Sequence, residues 1–284
     1  MKSKKLLLLA VAIAFAAVAT LPLAAQDRDD GRDHQGGWER ECSLRTLHGR
    51  FGWFGQGTVL AVPNVHPSLP LVVSGVITYD GEGNVSGTYN QSVAGAIATG
   101  LKLEGSYQVN PDCTYSSQIT LLATGSIVNR VGTITGEGIN QEIHILYTDP
   151  SPVAFGTLKK TPERCSLETL KGDYALFGNG LIFVSPTASI PRATAGLLTF
   201  DGKGNFEGAA TGNTNGGITQ GNFTGKYTVS AECEVTAGID ITSGPNQGLH
   251  FDEMGSVTGE GESKEIHDIF TTAHWVFTDT LKKQ

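Results

Sequence analysis

The chain has 284 residues, 20 of them basic and 28 acidic, for a formal net charge of −8. A chain that acidic, with no basic run, gives nucleic acid and anionic lipid nothing to bind, and both are excluded as partners. Beyond the first 25 residues no apolar stretch approaches the roughly 20 residues of a spanning helix, so no membrane span is expected.

The first element is a secretory signal over residues 1–25. Lys2, Lys4 and Lys5 precede an apolar run from Leu6 to Ala19, and small residues follow, with cleavage after Ala25 or Ala19 suiting a signal peptidase. The mature chain is therefore expected to be exported, to the periplasm or out of the cell. Residues 26–41 are charged and glycine-containing with a single Trp38, which reads as a flexible, solvated leader.

Two copies of one unit follow. Cys42-Ser-Leu-Arg-Thr-Leu-His-Gly49 returns as Cys165-Ser-Leu-Glu-Thr-Leu-Lys-Gly172, an offset of 123 residues (165 − 42). Tyr79-Asp-Gly-Glu-Gly-Asn84 returns as Phe200-Asp-Gly-Lys-Gly-Asn205, and Gly105-Ser-Tyr-Gln-Val-Asn-Pro-Asp-Cys113 as Gly225-Lys-Tyr-Thr-Val-Ser-Ala-Glu-Cys233. A nearly constant offset means duplication, with units at 42–161 and 162–284. Within each unit short β-favouring runs are punctuated by glycine. In the first, strands are expected near residues 50–60, 72–79, 84–89, 100–109, 115–123, 132–136, 142–147 and 153–158. Ser43 to Leu47 and Ser166 to Leu170 make at most one helical turn each. Asp80-Gly81 and Asp201-Gly202 supply the positive φ that a tight hairpin needs.

About eight antiparallel strands per unit suit a closed barrel or a sandwich, since either hides strand edges. The expected fold is all-β, with two tandem antiparallel β-barrel-like domains. Four cysteines, all in the exported part, suit an oxidising compartment and allow three pairings. The repeat favours Cys42 with Cys113 and Cys165 with Cys233, because each bond then closes within one unit.

The order Cys-Ser-x-x-Thr-Leu-x-Gly, Asp-Gly-x-Gly-Asn, Gly-x-Tyr-x-Val-x-x-x-Cys resembles a domain of uncharacterised exported bacterial proteins. That domain is similar in outline to the allene-oxide-cyclase-like, calycin-type barrels. The resemblance covers both units, nearly all of residues 42–283, and implies a barrel in each. Its motifs are turns and a disulfide, so it carries over no catalytic residue.

The most suggestive polar groups are Glu142-Ile-His144 and Glu265-Ile-His267. Residues two apart on a strand share a side, so each carboxylate can orient its imidazole and raise its basicity. Facing a lumen, such a pair could hold a polar ligand group or act as a general base. The alternation Ile143, Ile145, Tyr147 already defines a core face, however, and this phase puts the pair outside. Glu137 and Glu260, with Glu142 and Glu265, could form a two-carboxylate site, against the simpler reading of a solvated turn. Asp80-Gly-Glu82-Gly-Asn84 spaces its oxygens as a calcium loop does. The second copy has Lys203 in place of Glu82, which favours a hairpin turn.

Trp53, Phe54, Phe177, Phe183, Trp275 and Phe277 could line a cavity, although core filling is their commoner use. No zinc or serine-hydrolase motif is present, and no metal or cofactor is assigned. The leading functional reading is an exported, non-enzymatic protein that binds a small apolar or amphipathic ligand in a barrel. The alternatives are a structural or adhesive envelope protein acting through its outer surface, and an isomerase or glycosidase using the Glu-x-His pairs.

Overall fold

The computed structural model describes residues 41–60 and 68–284. The expected signal segment, and all of the leader but Glu41, lie outside them.

Strands β1 (His48–Val59), β2 (Leu69–Asp80), β3 (Asn84–Val93) and β4 (Ala96–Val109) form a meander. It continues through β5 (Thr114–Leu121), β6 (Ser126–Thr135), β7 (Glu142–Tyr147) and β8 (Val153–Lys160), and β8 pairs back onto β1 to close a barrel. The second copy repeats this with β9 (Gly172–Ser185), β10 (Ala188–Phe200), β11 (Asn205–Thr214) and β12 (Gly217–Val229). Then come β13 (Glu234–Ile241), β14 (His250–Thr258), β15 (Glu265–Phe270) and β16 (Trp275–Lys283), which closes onto β9. All neighbours are antiparallel, and closure removes both sheet edges. The period of two decides which side chains enter: on β4, Leu103 and Tyr107 are buried while Lys102, Glu104 and Gln108 are exposed.

All eight strands expected in the first unit are present, and the β3–β4 hairpin is longer than expected. It turns at Ala94 and Gly95, both at positive φ. Asn90 to Gly100 is rich in small and polar residues of weak strand propensity, so only pairing with flanking strands makes this stretch extended.

The repeated motifs build a plug at one end of each barrel. Ser43 N–H donates to Thr46 Oγ1 and Ser166 N–H to Thr169 Oγ1, both at 2.9 Å, winding single 3-10 turns at Leu44–Thr46 and Leu167–Leu170. The turns drive Leu47 and Leu170 into the cores, where both are fully buried. Tyr107 Oη lies 3.0 Å from the carbonyl oxygens of both Leu44 and Leu47, and Tyr227 Oη donates to Leu167 O at 2.9 Å. Disulfides Cys42–Cys113 and Cys165–Cys233 tie each plug to the residues just beyond β4 and β12. At the same end Asp80 Oδ1 accepts from the N–H groups of Glu82 (2.7 Å) and Asn84 (2.9 Å), so this carboxylate holds its own turn. Asp201 does the same with Lys203 and Asn205. Non-reducing peptide mapping should return these two disulfides; a Cys42–Cys165 crosslink would contradict the arrangement.

The barrels pack side by side through the outer faces of β1–β3 and β14–β16. Val72 meets Ile269 and Val276, with Phe183 against them. Ser74 Oγ donates to Met254 O (2.9 Å) and Ser92 Oγ to Trp275 O (2.6 Å). Gly52 permits the approach, since a Cβ there would fall 2.4 Å from Ser256 Oγ. Each barrel keeps its own apolar core.

Candidate functional site

With one end plugged, the space inside each barrel lies toward the other. In the first barrel it is a cavity of about 320 Å³ whose lining includes Trp53, Leu71, Val73, Ile119, Leu121 and Arg130. Arg130 comes from an inward position of β6 and is only 2% exposed. Its Nε donates to Ser117 Oγ at 3.1 Å, and its Cζ lies 5.5 Å from the centre of the Trp53 ring. Among the described residues its Nη2 has no hydrogen-bond partner, and neither has Trp53 Nε1. Among the described residues no carboxylate pairs with it. Burial opposes the guanidinium charge and the surrounding tyrosines, Tyr115 foremost, favour it; the balance raises its pKa, so Arg130 stays cationic. Burial pushes the neighbouring Tyr147 hydroxyl up to about 12, which keeps it neutral. The lumen thus presents two orphan donors and one uncompensated positive charge, which an apolar interior tolerates only at a cost.

The second lumen carries acids where the first carries a base. At the offset of 123 residues Arg130 becomes Glu253 on β14, Ile145 becomes Asp268 on β15, and Gly156 becomes Asp279 on β16. All three carboxyls are buried, and one oxygen of each lies within 4.8 Å of the others. They border a cavity of about 90 Å³ with Arg192, Phe251, Trp275 and Phe277 in its lining. Gly178 makes room for Asp279: a Cβ there would sit 1.5 Å from Asp279 Oδ1. Gly255 likewise adjoins Asp268, with a Cβ falling 2.6 Å from the Asp268 Cβ. Among the described residues Glu253 Oε1, Asp268 Oδ1 and Asp279 Oδ1 have no donor. Burial, then mutual repulsion, lifts Glu253 and Asp268 well above the carboxylate range. Burial raises Asp279 to about 7 against the pull of Arg192. The orphan groups here are acceptors where those of the first lumen are donors.

Neither Glu-x-His pair faces a lumen. Glu142 and His144 lie on the outer face of β7, with His144 Nε2 3.5 Å from Glu142 Oε2 and about half exposed. Glu265 and His267 also point outward from β15, but the first barrel covers them. His267 stacks on Phe54 at 3.7 Å and borders a cleft of about 200 Å³ between the barrels. Glu265 meets Lys159 of the first barrel at 2.6 Å, Lys282 at 2.8 Å and His267 at 3.0 Å. Burial lowers the His267 pKa, so the ring is neutral.

Glu137 and Glu260 each precede a 3-10 turn. Of the aromatics, Trp53, Trp275 and Phe277 line cavities, whereas Phe177 is exposed. Sequence reading passed over Arg130, Arg192, Glu253, Asp268 and Asp279. Setting the two copies side by side at inward positions would have found all five, because there the repeat changes charge instead of keeping it, Arg192 standing where the first copy has Leu71. The chain matches no family model and no curated protein.

Proposed function

We propose that the protein is an exported, non-enzymatic binding protein whose first barrel holds a small amphipathic carboxylate, its head group on Arg130 and its tail along the apolar wall. The observation that carries this reading is the buried Arg130, unpaired at Nη2 and bordering a cavity. A carboxylate would supply the missing charge and accept from both Nη2 and Trp53 Nε1, its bond to the guanidinium being charge-assisted and stronger than one between neutral groups. The cavity volume of about 320 Å³ falls within the range of about 300–1,000 Å³ usual for small-molecule sites. Two intrachain disulfides fit an oxidising compartment, and the resemblance to calycin-type barrels agrees with a ligand in the lumen.

Isothermal titration with decanoate, decanol and decylamine tests it. Decanoate should bind, decanol should bind at least about tenfold more weakly for want of the ion pair, and decylamine should not bind the first barrel. Arg130→Met should remove the preference for decanoate over decanol. Equal binding of all three compounds, or a preference untouched by Arg130→Met, would overturn the reading.

One observation favours the alternative of contact through the outer surface. Val131, Leu146 and Phe155 are cross-strand neighbours on β6, β7 and β8, and all three are exposed.

A further inference from the structure

We infer that the lumen of the second barrel is a site for one hard divalent cation, held by Glu253, Asp268 and Asp279. The geometry suits a shared ion. Oxygens bound to calcium stand about 2.3–2.6 Å from it, so donors on opposite sides lie about 5 Å apart. The three carboxylate oxygens fall within 4.8 Å of one another, which lets all of them reach one centre.

The supply of partners points the same way. Each of the three oxygens is buried and lacks a donor among the described residues, and all three residues border the same cavity. Its volume of about 90 Å³ is ample for an ion with coordinating water. Ionised, three carboxylates against the single guanidinium of Arg192 leave two uncompensated negative charges, which one divalent ion cancels. An all-oxygen set selects calcium, magnesium or manganese over softer metals.

The duplication adds an independent line. Plug, turns and disulfide are kept between the copies, whereas Arg130, Ile145 and Gly156 of the first lumen are replaced by three acids in the second. Gly178 and Gly255, which are glycine in the first copy too (Gly55 and Gly132), leave the space that Asp279 and Asp268 occupy.

The test uses the full chain, treated with a chelator and then titrated with calcium, magnesium or manganese chloride. The expected result is a saturable rise in melting temperature with at least one of the three ions, at a Kd of about 1 mM or below, as in extracellular calcium modules. Asp268→Asn and Asp279→Asn should each weaken that Kd at least about tenfold while leaving a folded protein, since losing a buried like charge relieves repulsion. These variants also separate the lumen from the acids of residues 26–41, which they do not touch. Arg130→Met should leave the metal response unchanged. No saturable response to any of the three ions would overturn the assignment. So would a response that both asparagine variants retain, or stabilisation by decylamine in place of the metals, which would mark an organic ammonium site.

Discussion

Arg130→Met is expected to yield a ligand-free protein that is more stable than the wild type, by about 1–3 kcal/mol, and that no longer prefers carboxylates. Arg130 is buried among apolar walls with Nη2 unpaired and no carboxylate against it, so the folded state bears a desolvation cost that methionine does not. The change is not free: Ser117 loses a 3.1 Å hydrogen bond, worth about 1 kcal/mol, Tyr115 and Tyr147 lose their side-chain hydrogen bonds to the guanidinium, and Trp53 loses its cation-π partner. The gain should exceed these losses and raise the melting temperature by about 5 °C for a chain of this size. A residue that lowers stability while bordering a cavity is kept for what enters the cavity. Thermal melts of both proteins after delipidation measure this. A lower melting temperature for the variant would show that Arg130 is a satisfied structural group.

Glu265→Gln should cost about 2 kcal/mol at neutral pH by breaking the ion cluster that joins the barrels. Glu265 accepts from Lys159 across the interface and from Lys282 and His267 within its own barrel. The cost falls short of the roughly 3–5 kcal/mol of a fully buried pair because both lysines reach solvent. Burial acts to raise the Glu265 pKa, but hydrogen bonds from His267, Lys159 and Lys282 win and hold it well below the usual carboxylate range. A depressed folded pKa contributes stability that is complete above the unfolded value, about 4.3, and is lost as pH falls toward the folded one. The gap between wild type and variant should therefore be constant from pH 7 to about 5 and narrow below about 4. Urea denaturation at several pH values gives both quantities. An equal gap at pH 3 would contradict the assignment.

The single helical turns, the hairpin turns and the disulfides were legible because each is local chemistry: a serine and threonine around one turn, Asp-Gly at a hairpin, cysteine after an alternating strand; that the turns plug the barrels depends on closure and was not. The strand phase was legible wherever one face meets water, as at Ile143 and Ile145. At Glu265-Ile-His-Asp-Ile-Phe270 the phase holds as well, with Ile266 inward and Glu265 and His267 outward, but the solvent exposure it implies does not, because every residue is buried. There Ile266, Asp268 and Phe270 point into the lumen while Glu265, His267 and Ile269 meet the other barrel, so polarity no longer marks the outside. The same packing makes the two Glu-x-His copies differ, one exposed and one covered, although their sequences match. Arg130 escaped notice because a lone arginine between Val128 and Val131 reads as an outward residue until the register of β6 is known.

The central claim is that the first lumen is a receptor for a carboxylate centred on Arg130. Native mass spectrometry of wild type and Arg130→Met, each purified from its own host without detergent, tests it most directly. The wild type should carry an acidic amphiphile of defined mass that the variant lacks. A wild type that flies empty, or a variant that carries the same molecule at the same occupancy, would contradict it.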